Sequence, residues 1–455
     1  MGKKADGVRI GCGAGFAGDR FDAAVPIVRE FSADPGADYL MFECLGERTL
    51  ALAQAARARD PDRGYSPFLD RYLAPILGDV LEAGIRVVSN LGAANPKAGA
   101  RRVQALAREQ GLRPPAVAIV SGDDLRNGFP DADLRSRPRL DGAHLFDRPI
   151  VAANVYLGAT PLRDALATGA PIVLVGRTTD SALALGPLMH EFAWDADDLD
   201  RLAAGTICGH LLECGAQVTG AYFADPGFKD VPDLAHVGFP IAEIASDGRF
   251  VLSKPADTGG VIDRATVTEQ VLYEMHDPAA YLVPDVTADI TGMVLEDLGG
   301  DRVAVSGVRG HAPPADLKAT LCVENGWMAE AEMSYGGPNA TARARLAGEI
   351  VTTRLREAGL SERIAVDLIG EHSVMQGTGA PAEAMTSIVR LRLAMHAEAP
   401  DTARALIEEL QALYCSGPAG GGGFRSQLSP QVATGSILVP RERVEAGVRV
   451  EVIEP

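Results

Sequence analysis

Across the first 215 residues, short apolar runs alternate with amphipathic stretches, and this rhythm limits the chain to few folds. Val8-Arg9-Ile10-Gly11 reads as a strand. Phe21 to Phe31 reads as a helix, with Ala24, Ile27, Val28 and Phe31 on one face. Asp38 to Glu43 makes a second strand and Ile85 to Asn90 a third. Thr49 to Ala58, Phe68 to Ala83 and Lys97 to Gln110 read as helices. Ala116 to Ser121, Val151 to Leu157 and Pro171 to Val175 supply a fourth, fifth and sixth strand. Strands separated by helices require right-handed crossovers, and these build a mainly parallel sheet. The expected fold is therefore α/β, with a doubly wound, mostly parallel sheet in an N-terminal domain over residues 1–221.

The pattern changes from about Asp225. Ser246-Asp247-Gly248 between Ile241 to Ile244 and Phe250 to Ser253 signals a hairpin. Strand-like runs at Val303 to Val308, Leu317 to Val323, Ile388 to Met395 and Ser436 to Val439 accompany long amphipathic helices at Thr341 to Ala358 and Thr402 to Tyr414. A second, α+β domain is expected over 222–455, with helices on one face of a mixed or antiparallel sheet. A chain of 455 residues is too long for one ordinary core, which agrees with such a division.

Composition narrows the function classes. The formal net charge is −18, which repels phosphate backbones and argues against nucleic acid as a partner. A small anionic substrate would need a local pocket of amides or arginines. The six cysteines include no C-x-x-C pair, and a count this low in so long a chain suits a reducing, cytoplasmic setting. Met1-Gly2-Lys3-Lys4-Ala5-Asp6 lacks the apolar core of a signal peptide, and no apolar run approaches the roughly 18 residues that a membrane span requires.

In parallel α/β sheets, ligands bind outside the carboxyl ends of the strands. The residues there are Gly11 to Arg20, Glu43-Cys44, Asn90 to Asn95, Ser121 to Asp124, Asn154 to Gly158 and Gly176 to Asp180. Within the first segment, Gly13, Gly15 and Gly18 satisfy G-x-G-x-x-G directly after a strand, with Arg20 beyond them. Glu43 ends the second strand, where a ribose-binding acid would sit. The glycines suit a phosphate, but the helix starts past the last of them and Asp19 brings a negative charge. A turn that only packs the helix against the sheet is the competing reading. Asn90, Asn95, Asn154 and Asp180 are further candidate ligand contacts. Arg177, in the turn before Asp180, is suited to pairing with a carboxylate.

A second constellation is Cys208-Gly209-His210-Leu211-Leu212-Glu213-Cys214-Gly215, near the end of a helix expected over Asp198 to Cys214. His210, Glu213 and Cys214 lie three and four residues apart and share a helical face. A His–Glu pair beside a cysteine is suited to acid–base work, because mutual charge moves both proton affinities. The plain alternative is a buried helix with a satisfied histidine. Gly209 costs about 1 kcal/mol against alanine in a helix, a sign of close approach by backbone or ligand. No second His/Cys cluster offers further zinc ligands, so no metal site is expected. The turn Thr258-Gly259-Gly260 offers backbone amides, as do Ser334 to Asn339 and the glycines Gly420 to Gly423, though hinge or turn duty is the favoured reading of each alone.

The segments Ile10 to Arg20, Asn90 to Pro96, Gly205 to Gly220, Phe239 to Gly260 and Ser334 to Ala340 resemble the acyclic terpene utilisation AtuA-like family. Gly209 to Gly215 and Thr258-Gly259-Gly260 carry the resemblance most distinctively, and it runs from about Val8 to the end. Some relatives carry an additional small C-terminal domain, and this chain is similar to their core. The resemblance implies a link to the breakdown of citronellol and geraniol through coenzyme A thioesters. It supplies no catalytic residues.

Together these readings favour an enzyme acting on an acyl-CoA or related carboxylic acid by hydration, dehydration or carbon–carbon lysis. His210 and Glu213 would act as the acid–base pair with Cys214 beside them, and Gly13, Gly15, Gly18 and Arg20 would hold phosphate. CoA would enter as part of the substrate, and no separate cofactor is required. The alternatives are a nicotinamide-dependent oxidoreductase and a noncatalytic subunit of a CoA-processing complex. A homo-oligomer is the default expectation for this size and class.

Overall fold

The computed structural model describes residues 7–141, 147–371 and 388–455. Met1 to Asp6 lies outside them. The chain divides into two compact units. The first comprises Met1–His144, Ile150–Cys322 and Thr434–Pro455, and the second Leu145–Pro149 and Val323–Ala433.

The first unit is built on β1 (Val8–Ala14), β2 (Ala37–Phe42), β3 (Arg86–Ser89), β4 (Val117–Ser121), β5 (Ile150–Val155), β6 (Ile172–Val175), β7 (Ile241–Ile244) and β8 (Phe250–Ser253). The order β1-β2-β3-β6-β4 is parallel throughout. Antiparallel strands extend it at both edges: β7, β8, Val303–Ser306 and Val294–Asp297 beside β1, and Arg449–Ile453 beside β4. The result is a mixed ten-stranded sheet within an α/β architecture. Within residues 222–322, expected in a second domain, four strands pair into this sheet, and Tyr281–Leu282, Thr287–Asp289 and Arg309–His311 form a separate three-stranded sheet.

Both faces of the parallel strands are buried, so they read as continuous apolar runs. Leu40, Phe42, Val87, Val117, Ile119, Ile172 and Leu174 pack with the helices Ala24–Ala33, Leu69–Leu73, Leu77–Ala83 and Pro96–Glu109. Their neighbours Tyr39, Met41, Val88, Ala118, Val120, Val173 and Val175 are equally buried on the other face. The helices Thr160–Ala167, Ala182–Phe192 and Leu199–Glu213 contact the strands there. Crossovers before β4 therefore run on one face and those around β6 on the other. The change of face brings a crevice to the carboxyl end of β6.

Two local expectations change. Phe68 to Ala83 is two helices, because Pro75 lacks the amide proton needed to continue the first. The fifth strand, β5, pairs with the strand Asp316–Gly336 and does not join the main sheet. The polar stretch after Asp123 holds the short helix Asp131–Ser136, and Leu140 donates its amide to the Ser436 carbonyl at 3.0 Å.

The second unit holds the strand Asp316–Gly336 from Val323 onward, helix Ala340–Glu357, strands Ile364–Ile369 and Ile388–Ala397, helix Pro400–Ser416 and the strand Gly421–Pro440 as far as Ala433. Ile388–Ala397 lies antiparallel between the first two strands, and the last strand flanks the first on its other side. This β-α-β-β-α-β order is the split βαβ, ferredoxin-like arrangement. Ala344, Ala347, Val351, Leu406, Leu410 and Leu413 pack on Met333, Tyr335, Leu391 and Leu393 as one core. This is the α+β sheet with helices that the sequence pattern predicts, confined to a shorter segment.

Candidate functional site

The carboxyl ends of β2, β3, β4 and β6 deliver a cluster of buried polar groups. Glu43 follows β2, Asn90 follows β3, Asp123 follows β4, and Arg177 and Asp180 follow β6. Asn90 is fully buried and joins two of these ends: its Oδ1 accepts from the Cys44 amide at 2.8 Å and its Nδ2 donates to Glu43 Oε1 at 3.1 Å. The Leu45 amide donates to the same Glu43 oxygen at 2.8 Å. Burial raises the Glu43 proton affinity, Arg177 and these two donors oppose the rise, and the charge of Glu213 adds to it.

Arg177 is the cation at the centre of the cluster. Its guanidinium lies 4.1 Å from the centre of the Tyr156 ring, donates to the Leu45 carbonyl and sits 3.3 Å from Asp180. Burial opposes its charge, but Asp180, Tyr156, Glu43 and Glu47 raise its proton affinity above that of an ordinary arginine. Its Nε is buried without a hydrogen-bond partner among the described residues. Tyr156 donates to Glu47 and stands 3.4 Å from Thr320 Oγ1. Asp180 keeps 29% of its side chain accessible, at the mouth of the turn. Burial, with Glu43, Glu213 and Glu47 nearby, raises its proton affinity well above the carboxylate range despite Arg177.

Asp123 fixes the turn that carries Arg177. Its Oδ2 accepts from the Arg177 amide and from Asn154 Nδ2, both at 2.8 Å. A Cβ on Gly176 would lie 2.5 Å from that oxygen, so only glycine admits the carboxylate. Burial pushes the Asp123 carboxyl up to about 6. A value raised on folding favours the protonated folded form. The contribution of Asp123 to stability is therefore complete below the unfolded value of about 4 and is lost as pH rises through about 6. Relative to Asp123→Asn, the wild type should lose about 2 kcal/mol between pH 4 and pH 7. Urea unfolding of both proteins at the two pH values checks this, and a constant difference would contradict it.

The helix Leu199–Glu213 closes the other side. Gly209 lets it approach the turn after Asp180: an added Cβ would meet the Ser181 carbonyl oxygen at 2.5 Å. Gly15 does the same for the loop after β1, where a Cβ would lie 2.4 Å from the Cys214 carbonyl carbon. His210 is 1% exposed. Its Nδ1 is 2.9 Å from Glu213 Oε1 and its Nε2 is 3.2 Å from the Val271 carbonyl oxygen. Among the described residues, Glu213 has no other hydrogen-bond partner. The Tyr281 ring stands 5.2 Å from the His210 ring. Burial, Glu213 and Asp180 hold the Tyr281 hydroxyl well above its ordinary proton affinity. Burial and Glu213 likewise push the Cys214 thiol up, which keeps it protonated and removes the charge a nucleophile needs.

Several expected ligand contacts are engaged elsewhere. Gly13 sits at a bulge of β1, where a Cβ would strike the buried Phe42 ring at 2.4 Å. In the loop, the Gly15 amide donates to Asp19 Oδ2 at 2.9 Å, the Arg20 amide to Asp19 Oδ1 at 2.7 Å and the Gly18 amide to the Tyr72 hydroxyl at 3.1 Å. Asp19 thus fills the nest that a phosphate would enter, and the following helix begins only at Ala24. The Arg20 side chain pairs with Asp22 and the Val237 carbonyl. Asn95 caps the helix Pro96–Glu109 and ties down the Pro61 and Arg63 carbonyls. The Gly259 and Gly260 amides donate to the His236 and Pro232 carbonyls, each at 2.8 Å. Thr258 donates to the Pro255 carbonyl at 2.5 Å. These side chains and turns are hydrogen-bonded within the chain.

Asp123, Tyr156 and Arg177 were all visible among the residues that follow strands. Glu47 and Tyr281 were not, since nothing local marks a helix-start glutamate or a two-residue strand as part of a site. Among the described residues, no three His, Cys, Asp or Glu side chains are grouped to hold a metal ion, and no helix is long and apolar enough to cross a membrane.

The sequence matches the family described as "Acyclic terpene utilisation family protein AtuA" over residues 8–450. The chain belongs to this family. The match spans both units, so the acyclic terpene utilisation assignment covers the carboxylate crevice and the ferredoxin-like sheet alike. Membership links the AtuA-family chain to terpene utilisation. No curated protein matches it.

Proposed function

We propose that this AtuA-family protein is an acid–base enzyme acting on the acyl group of a coenzyme A thioester or related carboxylic acid, by hydration, dehydration or carbon–carbon lysis. The observation that carries the reading is the pair Glu213 and Asp180 in contrasting surroundings beside Arg177. Glu213 is braced by His210, while burial and neighbouring carboxylates favour the protonated form of Asp180. A carboxyl group held by a histidine is suited to the role of base, and a neighbour whose protonated form is favoured to that of acid. In a dehydration, Glu213 would take the proton next to the carbonyl. The electron pair would form the carbon–carbon double bond, and Asp180 would give its proton to the departing hydroxyl, which leaves as water. The charge of Arg177 would stabilise the enolate oxygen formed on the way.

A dinucleotide is a weaker reading, because the glycine loop spends its amides on Asp19 and Tyr72. The test is an assay of straight and branched 2-enoyl and 3-hydroxyacyl substrates, as CoA thioesters and as free acids. We expect turnover of at least one class, falling about 100-fold or more in Asp180→Asn. No turnover of any, together with NADH-dependent activity, would replace this reading with the oxidoreductase.

A further inference from the structure

We infer that His210 is a fixed imidazolium that positions Glu213 and does not itself exchange protons with substrate; its catalytic consequence rests on the function proposed above. The ring has two nitrogens, and each faces an acceptor. The Val271 carbonyl, 3.2 Å from Nε2, can only accept, so Nε2 carries a hydrogen. Nδ1 faces the Glu213 carboxyl oxygen at 2.9 Å, and in the inferred state the proton between them sits on the ring. A ring donating from both nitrogens is charged. No lone pair remains to take a proton from a ligand, and at 1% exposure no ligand reaches the ring.

The groups facing the ring agree. Glu213 lies on its own helix, while Val271 and Glu274 come from the end of the helix Arg264–Leu272 and the residues after it. The Tyr281 ring packs at 5.2 Å. Burial opposes the charge, but Glu213, the Val271 carbonyl and Glu274 outweigh it and raise the proton affinity above that of an ordinary histidine. The charged ring then holds one oxygen of Glu213 in place, as a positioning residue does.

The experiment is a pH series of long-range proton–nitrogen correlation spectra on the full chain labelled at its eight histidines. His210 is assigned by its loss in His210→Gln. Both His210 nitrogens should remain protonated well above the ordinary histidine midpoint of about 6.5. In Glu213→Gln the midpoint should drop by about one unit or more, because the partner charge is gone. A neutral His210 ring at pH 7 in the wild type would overturn the inference, as would an unmoved midpoint in Glu213→Gln. In the assay, His210→Gln should lower kcat more than tenfold with KM changed less than threefold; an unchanged kcat would also overturn it. The spectra need no substrate, so absence of turnover would sink the proposed function without touching the state of the ring.

Discussion

Glu213→Gln should lower kcat about 1,000-fold while changing KM little. Glutamine keeps the volume of the side chain and an oxygen that can accept from His210 Nδ1, so the helix Leu199–Glu213 should retain its place. What disappears is the ability to take a proton. Removal of a group used mainly in the transition state shows in kcat, whereas loss of ground-state binding would show in KM. Steady-state kinetics on the best substrate decide between these. A kcat within threefold of wild type would remove Glu213 from the chemistry. A comparable fall in Asp180→Asn is expected, and the double variant should lose less than the product of the two, because the residues act on one proton inventory.

Gly209→Ala should destabilise the protein by about 2 kcal/mol or more and also impair turnover. Two effects compete. Alanine is favoured over glycine by about 1 kcal/mol inside a helix, which alone would stabilise the variant. The new Cβ, however, would stand 2.5 Å from the Ser181 carbonyl oxygen and 2.7 Å from its Cα. Both are backbone atoms at the start of the buried helix Ala182–Phe192, so no rotamer change relieves the contact. The helices must separate, and overpacking of this kind costs about 1–3 kcal/mol or more. Separation also moves Glu213 away from Asp180, and a displacement of about 1 Å can cost about 100-fold in rate. Urea unfolding of the variant beside wild type checks the first claim. A more stable variant would show that helix propensity wins and that the close approach yields easily.

The parallel core was legible because strands buried on both faces write unbroken apolar runs, as in Ile172–Val175 and Arg86–Ser89. Pairing was less so. Nothing around Val151 reveals that its strand pairs with a partner beginning at Asp316, because that choice is made by contacts more than 150 residues away in sequence. The glycine motif shows the same limit from the other side. Gly13, Gly15 and Gly18 match a phosphate loop in spacing, yet each is glycine for a local reason: the Phe42 ring, the Cys214 backbone and a φ of +98°. Gly259 likewise answers the Asp233 carbonyl oxygen, 1.9 Å from where a Cβ would be. The helical spacing of His210 and Glu213 correctly implied their contact, but not that the ring would spend its second nitrogen on Val271. The crevice rule listed Asp123, Tyr156 and Arg177 among the residues after strands, and the structure brings them together. Their mutual arrangement depends on three separate strand ends meeting, which no single stretch of sequence records.

The central claim is that a carboxylate base and a protonated carboxyl work on the acyl group of a carboxylic substrate. Its most direct test is solvent hydrogen exchange. Wild type and Glu213→Gln would be incubated in deuterium oxide with a turned-over acyl-CoA or free acid, and mass spectrometry would follow deuterium at the carbon next to the carbonyl. Incorporation by the wild type, at least 100-fold slower in Glu213→Gln, is the result expected if Glu213 removes that proton. Turnover by the wild type without any incorporation, or incorporation at equal rates in both proteins, would contradict the account.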